Sequence, residues 1–197
     1  MKQVKFFSSI IIITFFFQVT SSQQPGFRKV MEAEVKLDSL FTSLYDENSM
    51  DKDSLNDEII QTFHGILDTW DSFYYKWPKL NKIGIVESED NRLKVYTWYL
   101  QNSPDDFKYF GFIQYKSGKR KRQYHLHLHS LNDYSGEMSS PQTAKTSADR
   151  WFGCLYYGVQ QFSDRNDVYY TLLGYDFNDQ LSTIKLVEIL RFNKDGN

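Results

Sequence analysis

Lys82-Ile83-Gly84-Ile85-Val86-Glu87-Ser88-Glu89-Asp90-Asn91-Arg92-Leu93-Lys94-Val95-Tyr96-Thr97-Trp98-Tyr99-Leu100 is the stretch on which the fold turns. Before it, apolar residues recur at three- and four-residue steps; within it the step becomes two, the period of a strand whose side chains alternate between faces. Glu89-Asp90-Asn91 interrupts the alternation with turn formers, so residues 82–88 and 92–100 are expected as a hairpin. Residues 107–115 and 123–131 continue the pattern around Lys116-Ser117-Gly118-Lys119, which makes an antiparallel meander. Further strands are expected at 151–162 and 168–177, around the polar turn Ser163-Asp164-Arg165-Asn166. Residues 186–192 read as a last strand, with a short helical turn capped by Ser182 as the competing reading. Residues 132–148, rich in Ser, Thr, Asp and Gly without an apolar repeat, read as the longest loop.

Upstream, Phe27, Val30, Met31, Val35, Leu37, Leu40, Phe41 and Leu44 predict an amphipathic helix over 27–45, with Pro25 and Gly26 as a break before it. A second stripe, Leu55, Ile59, Phe63, Ile66, Leu67, Trp70 and Phe73, predicts a helix over 54–74 whose first turn Asp51 or Ser54 can cap and which Pro78 prevents from continuing. The expected fold class is α+β: two N-terminal helices packed on one face of a mainly antiparallel, aromatic-rich sheet. No repeat or linker divides residues 23–197, so one domain is expected.

Residues 1–22 read as an export signal. Lys2 and Lys5 precede an apolar run over 6–17, shorter than the about 20 residues that span a bilayer, and small polar residues follow. Cleavage after Ser21 or Ser22 leaves a periplasmic or secreted chain with no stable membrane span. The remaining length of about 175 residues is enough to bury a core without staples. The 23 basic and 25 acidic residues give a formal charge of −2, which offers no global attraction to nucleic acid or an anionic membrane. A single cysteine excludes an intrachain disulfide and a Cys-rich zinc site. Cys154, between Phe152 and Leu155, reads as a buried thiol.

The stretches Trp98-Tyr99-Leu100, Tyr109-Phe110-Gly111-Phe112-Ile113-Gln114, Trp151-Phe152-Gly153-Cys154-Leu155-Tyr156-Tyr157 and Tyr169-Tyr170-Thr171-Leu172-Leu173-Gly174-Tyr175-Asp176-Phe177-Asn178 resemble an uncharacterised family of exported Bacteroidetes proteins. The resemblance runs from residue 82 to the end and implies neither an activity nor a cofactor. It implies further strand-like sequence past residue 196. In keeping with that, Asn193-Lys194-Asp195-Gly196-Asn197 has the composition of a hairpin turn without a return strand. Either the last strand is a free edge, able to self-associate, or a piece of the sheet is missing at the C-terminus.

Tyr124-His125-Leu126-His127-Leu128-His129 is the most chemical feature. On a strand the three histidines share one face, but the outer pair lies about 13 Å apart, so a metal site would need two of them and a further ligand, with Asp133 or Glu137 nearest in sequence. An exposed polar face, a metal site and an acid–base or ligand-contacting role all remain open. Lys116, Lys119, Arg120, Lys121 and Arg122 read as a solvated turn. Asp176-Phe177-Asn178-Asp179 lacks the glycine and distal glutamate of a calcium loop and reads as a strand-ending turn with Asn178 left-handed. With 14 Tyr and 16 Phe, the aromatic wall is too large to be all core, and Trp98, Tyr109, Tyr157 and Tyr170 are the candidate ligand-binding residues. The leading expectation is a noncatalytic binding or structural module of the cell envelope, without a cofactor, whose partner is an envelope protein or polymer. The alternative is a metal-assisted hydrolase built on His125, His127 and His129.

Overall fold

A computed structural model describes residues 25–118, 123–138, 141–165, 167–179, 181–193 and 196. The expected signal at 1–22 and the basic run 119–122 lie outside the described residues. Helix α1, Pro25–Leu44, buries Val30, Glu34, Leu37, Leu40, Phe41 and Leu44 along one stripe. Pro25 and Gly26 join its first turn and do not precede it as a break, because the amide that proline lacks has no partner in a first turn anyway. Asp51 caps α2, Lys52–His64, by accepting a hydrogen bond from the Ser54 amide at 3.1 Å.

The stripe expected over 54–74 is divided. Gly65 ends α2, and Thr69 starts a short helix α3, Trp70–Tyr74. The Thr69 hydroxyl donates to the Ile66 carbonyl at 2.7 Å and accepts from the Ser72 amide at 3.3 Å. One side chain thus closes the turn and caps the next helix, so the periodicity survives while the axis changes direction.

Strands β1 (Gly84–Glu87), β2 (Leu93–Ser103), β3 (Asp106–Ser117) and β4 (His125–Asn132) form an antiparallel sheet in that order. One face carries Tyr96, Trp98, Leu100 and Phe112 against the helices. Phe63 of α2 is the hub of that core, with ring centroids 5.3 Å from Trp98, 5.7 Å from Tyr96 and 5.8 Å from Phe112. Burying each such ring stabilises the fold by about 1.5–3 kcal/mol.

The sequence reading expects one sheet; there are two. Strands β5 (Leu155–Asp164), β6 (Asp167–Asp176) and β7 (Ile184–Leu190) make a separate antiparallel sheet, ordered β5-β6-β7. Its inner face, with Cys154, Tyr156, Tyr170 and Leu172, packs on Leu93, Val95, Tyr109, Ile113, Tyr115 and Leu131 of the first sheet. The layers are therefore helices, first sheet, second sheet. Strands β2 and β3 are covered on both faces, which period-two alternation alone does not reveal.

Trp151 begins no strand of the second sheet. It forms an isolated parallel bridge with Asp133, beside the end of β4. Asp133 accepts from the Tyr109 amide at 2.9 Å and from the Ser135 amide at 3.0 Å, so the expected loop is anchored at its start and carries short 3-10 turns at Ser135–Glu137, Pro141–Thr143 and Ala148–Arg150. Among the described residues, no helix is long and apolar enough to cross a membrane.

Candidate functional site

Pairing of β3 with β4 sets Ser117 opposite His125, Tyr115 opposite His127 and Ile113 opposite His129. All three histidines look toward the layer of the second sheet, and only His125 is exposed. The chain leaving β7 turns across this face. The Phe192 ring stacks on Tyr115, lies 6.0 Å from His129 and meets Tyr170 edge-on at 6.2 Å. The Gly196 carbonyl is 2.9 Å from His129 Nε2, and His127 Nε2 is 2.7 Å from the Ser117 hydroxyl. Gly196 has φ of 86°, and a β-carbon there would strike the His127 ring, so this position calls for glycine twice over.

Burial, and then the neighbouring His129 and His125, push the His127 pKa below its ordinary value. A neutral His127 imidazole is what this crowded position favours. The His127 and His129 rings stack with centroids 6.4 Å apart. No group of three His, Cys, Asp or Glu side chains suited to a metal occurs among the described residues. Asp133 instead fastens the loop, and His64 lies on the opposite face of the sheet, edge-on to Phe112 and 3.3 Å from the Ser130 hydroxyl.

The four aromatic candidates do not line a common cleft. Trp98 is in the helix-side core and donates to Asn56 Oδ1 at 2.7 Å. Tyr109, buried between the sheets, donates to Asp176 Oδ1 at 2.7 Å and accepts from the Phe177 amide. Tyr170 is buried and donates to Asp90 Oδ2 at 3.0 Å, bridging the second sheet to the β1–β2 turn. Burial pushes the Tyr109 and Tyr170 hydroxyls above their ordinary pKa, reinforced by Asp176 and Asp90. Tyr157 is the exposed one, at a bulge in β5.

Two further expectations meet the structure at this level. Asn178 is left-handed, with φ of 56°, and its amide donates to Asp176 Oδ1 at 2.9 Å, which makes the acidic cluster a strand-ending turn. Lys116 is not a solvated turn residue. It is buried, with its ammonium 5.4 Å from the Phe73 ring, 5.7 Å from Tyr74 and 5.4 Å from Tyr124. Nearby, Lys94 is buried and donates to the Phe73 and Tyr75 carbonyls at 2.6 and 2.9 Å; burial pulls its pKa down to about 8 against the opposing pull of Glu87.

The outer face of the second sheet is not among the sites expected from the sequence. Antiparallel sheets usually turn polar side chains outward, yet Val187 is 70 % exposed, Ile189 66 %, Tyr157 57 % and Phe162 43 %. Phe162 stacks on Tyr169 at 5.0 Å, and Arg191 lies over Tyr169 while pairing with Asp167 at 3.3 Å. The signal is the alternation of Lys185, Val187 and Ile189 with Leu186, Glu188 and Leu190, where both phases are largely apolar. On the inner phase, Glu188 accepts from the Tyr156 hydroxyl, which also accepts from Trp151 Nε1 at 2.8 Å. The chain matches no protein-family model, no curated protein and no solved structure.

Proposed function

We propose that the chain is a noncatalytic binding or structural module of the cell envelope, periplasmic or secreted, and that it binds through its second sheet. The observation that carries this reading is the apolar outer face centred on Val187 and Ile189, next to the edge of β7, where no strand pairs among the described residues. Such a face and such an edge are the two features by which sheets accept partners. The export reading draws on the N-terminal sequence and on the resemblance to exported Bacteroidetes proteins. An envelope protein or polymer fits the outer face; a second copy fits the edge.

The metal-assisted hydrolase centred on His125, His127 and His129 has less support, because His127 and His129 already contact Ser117 and Gly196. A photo-crosslinking side chain at Val187 or Ile189, expressed in the native cell, tests the binding reading. Adducts are expected in the envelope fraction from both positions, and not from Lys29 on α1. Absence of adducts at the second sheet overturns it. Intact mass should place the mature N-terminus near residues 22–24; a full-length cytosolic chain overturns the localisation.

A further inference from the structure

We propose that the partner of the β7 edge is a second copy of this chain, paired antiparallel about a two-fold axis at Val187. This rests on the reading of the second sheet as the binding surface. β7 is seven residues long, contains neither proline nor glycine, and pairs with β6 without a bulge. None of the usual devices that blunt an edge by breaking its backbone is present. Glu188, the inward charge that would otherwise deter pairing, is already hydrogen-bonded by Tyr156. The most exposed apolar side chains of the sheet, Val187 and Ile189, sit on this outermost strand, where side chains of an added strand pack beside them on the same face.

Charge and overlap choose the register. In a sheet continued across a two-fold axis perpendicular to it, residues directly opposite one another share a face. An axis at Glu188 sets Glu188 against its own copy and Lys185 against Arg191, two like-charge oppositions. An axis at Leu186 avoids these but leaves Ile189 and Leu190 beyond the end of the partner strand. An axis at Val187 pairs the whole strand: Ile184 with Leu190, Lys185 with Ile189, Leu186 with Glu188 and Val187 with itself. No like charges then face each other. The chain beyond Arg191 leaves the edge, since Phe192 is seated on Tyr115, so the pairing ends where the strand ends. The product is a six-stranded sheet with one continuous apolar outer face.

A short bifunctional maleimide applied to the mature chain tests both partner and register. Val187→Cys should cross-link to twice the chain mass. Lys185→Cys alone should not, whereas the Lys185→Cys/Ile189→Cys double variant should. Cys154 is buried, so the parent chain should not react. In sedimentation, Val187→Lys should weaken dimerisation by about tenfold or more, because it sets two ammonium groups face to face. A parent chain that stays monomeric at high concentration, or cross-links that follow another register, overturn the proposal. Mass analysis of adducts from the Val187 photo-crosslinker separates the two readings. Twice the chain mass supports the dimer, another mass overturns the dimer but not the binding surface, and no adduct overturns both.

Discussion

The ring of Phe192 lies flat on that of Tyr115, with centroids 3.7 Å apart and planes 4° from parallel. Two residues after β6 and β7 cease to pair at Tyr170 and Leu190, the chain has therefore crossed from the second sheet to the first, closing one mouth of the layer between them. Tyr115 belongs to the core between the sheets, and the half-buried Phe192 acts on it as a fastener.

Phe192→Ala should accordingly lower stability by about 1–3 kcal/mol, less than a fully buried phenylalanine would. It should also free the Gly196 contact. Urea denaturation measures the first, and the His129 imidazole nitrogen resonance in NMR measures the second. An unchanged His129 signal would show that the contact does not depend on the ring.

The depressed His127 pKa gives a sign to the pH dependence. The unfolded chain takes up this proton near 6.5 and the folded chain only at lower pH. Between those values the unfolded state binds more protons, so stability falls as pH drops below about 6.5 and levels off below the folded pKa. Denaturation midpoints across this range should show a shallower decline in His127→Asn than in the parent chain. Equal slopes would remove His127 as the cause.

Lys94 behaves likewise at the other end of the scale. Its folded pKa is about 8 against an ordinary 10.5, so stability should rise as pH increases from 8 toward 10, before tyrosines of the unfolded chain begin to ionise. Lys94→Met, which keeps the stem and removes the charge, should flatten this rise. It should also leave the Phe73 and Tyr75 carbonyls without their donor, and the balance is read from the two curves.

Zinc should bind weakly. Two same-face imidazoles pre-place part of a site, but zinc must displace the Ser117 and Gly196 contacts and find another ligand. Calorimetric titration of the metal-free chain beside His127→Ala checks this. Submicromolar affinity at one site per chain, lost in that variant together with thermal stability, would move the hydrolase reading to first place.

Much of the architecture was legible because local rules and the final packing agree. Of the expected stripe of α1, Val30, Leu37, Leu40, Phe41 and Leu44 are buried while Met31 and Val35 are exposed; Asp51 is the cap, and every expected strand exists within a few residues. What escaped was non-local. Periodicity does not say which sheet a strand joins, so two sheets read as one. Nor does it tell a tyrosine that binds from one that packs: Tyr109 and Tyr170 find Asp176 and Asp90 across 67 and 80 residues. The cover over the histidines comes from the far end of the chain, where the sequence showed a strand running to Phe192 and turn formers after it.

The layering has a consequence for how the molecule comes apart. Amides of β2 and β3 are shielded by two strand neighbours and by two layers of side chains, whereas β7 has one strand neighbour among the described residues and an open outer face. At concentrations where the chain is monomeric, hydrogen exchange should run as a gradient, fast along β7 and slow to the limit of global unfolding at Val95 and Ile113. The protein would peel from its last strand inward, with the middle sheet the last part to let go.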